Sequence, residues 1–324
     1  MIVATSRHPF VGPRMPTSTK APHWLLLGFR DSVFKTHPRK TVVHGTNLVS
    51  FVGEDGRLRV AEDACPHRGA SLARGTVRHN CVVCPYHGKA VGDGPTFFDT
   101  VVDQDNVWVD FSSRVLGVQD ASPPSCPEFS DPAFRTISYT KTLRCNPILL
   151  VENTLDHLHL LHIHKVHFVD TTPVVKLANT GIKGHGLATY TWSLPTFDLT
   201  IENEFYAPFT TSLRFHFTQK AEGRPPKPLP PLLLWFSATP THGTDEVALH
   251  LKISRAILKE APCLTDALFK LIDELPLQED AEIVGSVSAV HWSRNALTPA
   301  DAHVAAYRAT MLDLFPEILA WYVQ

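Results

Sequence analysis

Short apolar stretches separated by turn residues run through the first third of the chain. Residues 24–28 read as a strand or buried segment, and 41–45 with 48–52 read as paired strands separated by Gly45-Thr46-Asn47. Residues 54–57 form a turn and 58–61 return as a strand. The alternating stretch 106–111 closes a small all-β unit. Ala121-Ser122-Pro123-Pro124-Ser125-Cys126-Pro127 is a linker by composition. Beyond it, 134–144 alternate with a β-rich composition and 148–164 predict a helix. Residues 202–206 and 212–217 predict strands, and 232–240 with 247–255 predict a hairpin around His242-Gly243-Thr244-Asp245. The Pro-rich stretch 222–231 predicts a loop. Helices are expected at 264–275, 278–287 and 299–323, the last broken near Pro316. No internal repeat is present.

The pattern implies an α+β class with four segments: an N-terminal arm at 1–22, a small all-β domain at 23–120, a linker at 121–127, and a larger domain at 128–324. In the larger domain an antiparallel sheet packs against helices. A length of 324 residues gives ample core for two domains. A net charge of −2 and 44 % hydrophobic residues argue against disorder and against a nucleic-acid platform. The longest apolar run, 230–236, is too short to cross a bilayer. The arm carries Arg7, Arg14 and Lys20 with no acid, a composition shared by organellar transit peptides and by irregular packing arms. Of six cysteines, only Cys65 and Cys84 show ligand-like spacing, which favours a reducing, cytoplasmic compartment.

The densest early chemistry is Cys65-Pro66-His67-Arg68-Gly69-Ala70 followed by Cys84-Pro85-Tyr86-His87-Gly88. Each half offers one thiolate and one imidazole beside the Pro and Gly that tight loops need. Two such halves can hold a [2Fe-2S] cluster with Cys65 and Cys84 on one iron and His67 and His87 on the other. Neutral imidazoles in place of two thiolates remove negative charge and raise the reduction potential. Zinc is the rival, but zinc-finger spacing pairs Cys with Cys and His with His. With Leu72 and Gly75 in the spacer, the stretch resembles the Rieske motif. The departure is Lys89, where the family often has Trp.

A second centre of chemistry is Glu152-Asn153-Thr154-Leu155-Asp156-His157-Leu158-His159-Leu160-Leu161-His162-Ile163-His164, with His167 just beyond. A mononuclear non-haem iron takes two histidines and one carboxylate on one face, with positions left open for oxygen and substrate. Helical spacing alone leaves both His157/His164 and His159/His162 in play.

The stretch resembles the Rieske oxygenase motif, matched by Glu152, Asn153, Asp156, His159 and His164. The resemblance implies iron ligation by His159 and His164, with the helix distorted or ending at the site. It implies a third ligand from a late helix, where Asp280 aligns and Glu279 and Glu282 are alternatives. It further implies that Asp156, with Asn153 beside it, links the iron histidine to a cluster histidine of the next subunit. That link requires an oligomer, by analogy a head-to-tail homotrimer. The implied second domain is a helix-grip-like catalytic domain.

The resemblance, to the compact α-subunit-only type, implies an oxygenase component with one [2Fe-2S] cluster and one mononuclear Fe(II) per chain. O2-dependent hydroxylation or oxidative demethylation of a small organic substrate is expected ahead of cis-dihydroxylation. With no G-x-G-x-x-G fingerprint in the chain, a separate reductase or ferredoxin supplies electrons. A pure electron carrier would need the cluster alone, and a regulatory relic would keep neither activity. Phe168, Trp192, Phe197, Phe205, Tyr206, Phe215 and Trp235 either line a pocket or fill the core. Glu202 and Glu204 share one face of a strand, either inward toward a polar substrate or outward to solvent.

Overall fold

The computed structural model describes residues 23–92, 97–111, 122–164, 176–178, 185–193, 197–256, 276–289, 292 and 296–323. The arm at 1–22, the helix expected at 264–275, His167, Phe168, Cys263 and the side chain of Phe197 lie outside the described residues.

The first unit comprises β1 (Trp24–Phe29), a one-turn helix α1 (Arg30–Val33), β2 (Arg39–Val43), β3 (Thr46–Val52), β4 (Leu58–Glu62), β5 (Thr76–Arg78), β6 (Cys81–Val83), β7 (Ala90–Val91), β8 (Asp99–Asp103) and β9 (Asn106–Asp110). They form three antiparallel sheets ordered β1-β9-β8, β2-β3-β4 and β5-β6-β7. The β2–β3 turn falls at His44-Gly45 and not at the Gly45-Thr46-Asn47 expected from sequence. Val43 pairs Thr46 across it, and both turn residues have positive φ, 49° and 69°. Two-residue turns of this hand match strand twist. Gln104 and Asp105 repeat the device between β8 and β9, with φ of 51° and 64°.

The second unit is one antiparallel sheet of β10 (Phe134–Leu143), β11 (Lys176–Ala178), β12 (His185–Ser193), β13 (Phe197–Tyr206), β14 (Thr210–Ala221), β15 (Arg224–Pro228), β16 (Leu232–Pro240) and β17 (Val247–Ala256). Its order is β10-β17-β16-β14-β13-β12-β11, with β15 paired to the far end of β14. The Pro-rich stretch expected as a loop therefore contains a strand. Proline cannot donate to a ladder, so it belongs on such a short, exposed edge, where Thr218 faces Pro228 and Gln219 faces Lys227.

The helices are α2 (Pro147–Leu155), α3 (His159–His162), α4 (Pro276–Ser286), α5 (Ala302–Leu314) and α6 (Pro316–Tyr322). Among the described residues none is long and apolar enough to cross a membrane. Asn146 caps α2 by accepting from the Ile148 N–H at 2.9 Å, and Pro147 opens the helix. Residues 147–152 are all buried, because α2 lies between the sheet (β13, β14, β16) and α4, α5 and α6. The continuous helix expected at 148–164 is broken. Asp156 is extended (φ −82°, ψ 109°), and its Oδ1 accepts the Leu158 N–H at 2.8 Å. A short polar side chain that bonds its own backbone competes with the helix in this way. The final helix breaks at Phe315–Pro316 as expected and starts after a 3-10 turn at Pro299–Asp301.

The two units share a seam. Trp108 of β9 meets Trp235 of β16 edge-on at 5.7 Å, both fully buried with Leu26, Cys126 and Leu233. Thr239 donates to the Leu26 carbonyl at 2.7 Å, and the His44 and Gly45 N–H groups donate to Pro240 and Thr241 at 3.0 and 2.7 Å. Lys252 sits over the Phe129 ring at 4.7 Å and donates to the Gln104 carbonyl, and burial pushes its amine down to about 8.

Candidate metal centres

The two cluster loops are the same turn built twice. In the first, the Gly69 N–H donates to the Cys65 carbonyl at 2.7 Å and the Cys65 N–H to the Ala70 carbonyl at 2.8 Å. In the second, the Gly88 N–H donates to Cys84 at 3.0 Å and the Cys84 N–H to Lys89 at 2.9 Å. Gly69 and Gly88 both have φ of 71°, the left-handed region glycine occupies without cost. The result buries Cys65 and Cys84 and leaves His67 and His87 exposed, their ring centroids 4.9 Å apart. Backbone N–H groups of Tyr86 and His87 face the Cys84 sulfur and, against burial, hold its thiol below the ordinary value. Lys89, in place of an aromatic cover, is exposed.

The loops are fixed from behind. Asp63 accepts from the Ser71 hydroxyl and the Ala73 N–H, each at 2.7 Å. Gly75 packs so tightly on β6 that a Cβ there would lie 2.1 Å from the Val83 carbonyl oxygen. Asp63 carries no sequence signal, because a lone acid before the motif could equally be solvated. Cys81 lies half-buried in β6. Burial pushes Cys126 and Cys145 to about 12, so they are inert core thiols.

The break in α2 shapes the second site. It sets His159 at the start of α3 and turns its Nδ1 onto the carbonyl of Asp156. His164 follows α3, and Asp280 arrives from the first turns of α4. One ligand-type atom from each of His159, His164 and Asp280 lies within 4.8 Å of the others, and no other group of three metal-ligating side chains converges so among the described residues. Nε2 of His164 is 3.2 Å and Nε2 of His159 is 3.9 Å from Asp280 Oδ1. That oxygen is buried yet has no hydrogen-bond partner among the described residues. Burial pushes the His159 imidazole below its ordinary value, against the pull of Asp280. Two imidazoles and a carboxylate oxygen facing one point are a fitting donor set for a divalent iron.

The alternative pairs from helical spacing are not brought together. His157 is buried and stacks on Tyr190 at 4.5 Å, while His162 is exposed. Glu282 is exposed, and Glu279 Oε2 lies 3.3 Å from His164 Nδ1, the outer nitrogen of that ring. Asn153 sits on α2 with its Nδ2 buried and without a hydrogen-bond partner among the described residues. Phe205 and Trp235 fill core, and Trp192 packs in a buried cluster with Tyr190 and Ile201 that Phe215 flanks. Tyr206 stacks on His185 at 4.7 Å. Asn203 donates to the Thr154 carbonyl of α2 at 2.8 Å, so Glu202 and Glu204 point to the opposite face of the sheet. There Glu202 meets Arg214 and His216, and Glu204 pairs with His185.

Sequence reasoning missed a buried clamp on α2. Glu152 takes two hydrogen bonds from Arg308 and one from the Trp292 indole at 2.5 Å, and Arg308 lies over the Trp292 ring at 4.7 Å.

Comparison with known proteins agrees with this architecture. A family model described as the Rieske [2Fe-2S] domain matches residues 23–94. The probable 3-ketosteroid-9-alpha-monooxygenase oxygenase component of Rhodococcus rhodochrous is 30 % identical over 173 residues, 46 % of this chain and 42 % of that protein. The dicamba O-demethylase oxygenase component of Stenotrophomonas maltophilia is 28 % identical over 184 residues, 50 % and 52 % respectively. These matches span about half the length of the curated relatives. The fold extends further. A crystal structure of dicamba monooxygenase bound to dicamba superposes with a TM-score of 0.74 at 17 % identity, covering 95 % of this chain and 99 % of that one. A structure of that enzyme with non-heme iron and dicamba gives 0.70 at 18 %, covering 92 % and 97 %. Residues 23–94 thus match a Rieske [2Fe-2S] domain, and about half of the chain is similar in sequence to oxygenase components.

Proposed function

We propose that the protein is the oxygenase component of a Rieske non-haem iron system. It hydroxylates or oxidatively demethylates a small organic substrate with O2, using electrons from a separate reductase or ferredoxin. The observation that carries this reading is the convergence of His159, His164 and Asp280 beside a broken helix. A carrier of electrons alone has no use for it. The relatives' names, a steroid monooxygenase and an O-demethylase, support monooxygenation ahead of dihydroxylation.

The bound metals supply single-electron transfer at the cluster and dioxygen activation at the mononuclear iron. The chain's own residues arrange the rest. Cys65 and Cys84, which are buried, and His67 and His87, which are exposed, would hold the cluster. His159, held by the Asp156 carbonyl, and His164 direct Nε2 inward, and Asp280 adds the carboxylate. Three protein donors leave the remaining positions open for substrate and oxygen. Asp156 is half-buried and accepts the Leu158 N–H with one carboxylate oxygen, which leaves a second oxygen on the group. In a head-to-tail homotrimer that oxygen, with Asn153 beside it, would receive a cluster histidine of the next subunit and carry a proton across the contact.

Metal analysis tests the reading. The purified chain should hold about three irons, two in the cluster and one mononuclear, against about two for a carrier. Asp280→Ala should lose the mononuclear iron and keep the cluster spectrum. Full iron content in that variant would refute the assignment.

A further inference from the structure

Each imidazole at the mononuclear site has a second nitrogen, and the two are treated differently. His159 Nδ1 meets a backbone carbonyl, that of Asp156. His164 Nδ1 meets a carboxylate, Glu279 Oε2 at 3.3 Å, while its Nε2 lies 3.2 Å from Asp280. Consecutive residues of α4 thus hold the two nitrogens of one ring.

We propose that Glu279 is a positioning residue: it accepts the Nδ1–H of His164, fixes that tautomer, and aims Nε2 at the point closed by His159 and Asp280. This rests on the reading of that point as an iron site. Glu279 is not itself a ligand, because it addresses the ring from the outer nitrogen. Its side chain is 55 % exposed, against 11 % for Asp280. Nor is it only a favourable acid in the first turn of a helix, since such an acid needs no imidazole partner. A neutral imidazole can give its lone pair to a metal from one nitrogen only if the proton sits on the other. A carboxylate acceptor on that proton also makes the ring a stronger donor than a carbonyl does. The site is therefore asymmetric, with His164 the more strongly donating of its two imidazoles. Because Glu279 lies at the rim, this control is reachable from solvent without opening the core.

The test uses the full chain with its cluster intact, depleted of mononuclear metal and dialysed against graded ferrous ion, with cluster absorbance as the internal standard. Glu279→Ala should weaken ferrous binding roughly tenfold to a hundredfold. Glu279→Gln, which keeps an acceptor oxygen in place, should recover most of that loss. The cluster spectrum and the denaturation midpoint should stay at the parent's values in both variants, a result that a merely structural acid would not give. The inference is overturned if Glu279→Ala binds ferrous ion within a factor of about two of the parent. It is also overturned if that variant fails as completely as Asp280→Ala and Gln does not help, which makes Glu279 a ligand. If Asp280→Ala itself binds iron normally, the iron site is elsewhere and this inference falls with it. An effect of Asp280→Ala without one of Glu279→Ala removes the inference alone.

Discussion

Arg308 of α5 grips Glu152 of α2 with two hydrogen bonds, Nε to Oε1 at 2.8 Å and Nη2 to Oε2 at 2.7 Å, both side chains nearly enclosed. Burial pushes the Glu152 carboxyl up, and the guanidinium works against that rise. Glu152 lies one helical turn before Asp156, whose N–H donates to the Glu152 carbonyl at 2.9 Å. The pair therefore sets where α2 ends and the histidine turn begins. Removing one partner of a buried ion pair strands the other. Arg308→Ala should cost about 3–5 kcal/mol, measured by chemical denaturation. Substituting both residues together by apolar ones of similar volume should restore much of that loss.

Gly69 and Gly88 should each resist alanine for a conformational reason only, since a Cβ at either meets nothing within 4 Å. Each substitution should cost about 1–2 kcal/mol through the left-handed backbone. The readout is cluster content by visible absorption. Gly75→Ala should be worse than either, because its Cβ would collide with the Val83 carbonyl.

Asp156→Ala separates metal binding from electron delivery. The ring of His159 is held by the Asp156 backbone, so both metals should remain bound. Oxygen uptake with a reductase should fall roughly tenfold to a hundredfold or more. Loss of the mononuclear iron in this variant would show that the side chain serves the site itself and not a contact between subunits.

Acid should destabilise the fold through histidines buried in the neutral form. Burial lowers His23 to about 3 and His250 and His303 to about 4. The unfolded chain takes up these protons near pH 6.5, well before the folded chain does. Stability is therefore complete above about pH 6.5 and falls below it, by about 1.4 kcal/mol per pH unit for each such histidine, until the folded values are reached. Denaturation curves at descending pH measure the slope. His23→Phe should make it shallower.

The paired cysteine–histidine loops were legible because their features are local: thiols, imidazoles, turn residues and glycines sit within a few positions of one another. His159 and His164, which the fold brings together with Asp280, were singled out in the sequence only through resemblance. Spacing assumed one regular helix, and the real backbone stops at Asp156, moving His157 off the face it would have shared with His164. The edge strand at Arg224–Pro228 was hidden by composition, since proline signals a loop unless one knows that only one side of the strand is paired. Glu152 and Arg308 lie 156 positions apart, and nothing in either neighbourhood announces the other. Glu279 was visible as an acid beside Asp280, but which nitrogen it addresses is set by where His164 comes to rest.

The edge-on meeting of Trp108 with Trp235 has a consequence for how the molecule can be divided. Cutting the chain between its two units would bare an indole on each new surface, together with Leu26 on one side and Leu233 on the other. Neither fragment would keep its own company in water, and each would seek a substitute oily neighbour. The first unit is no detachable cartridge: the two halves of this seam must be made and unfolded as one piece.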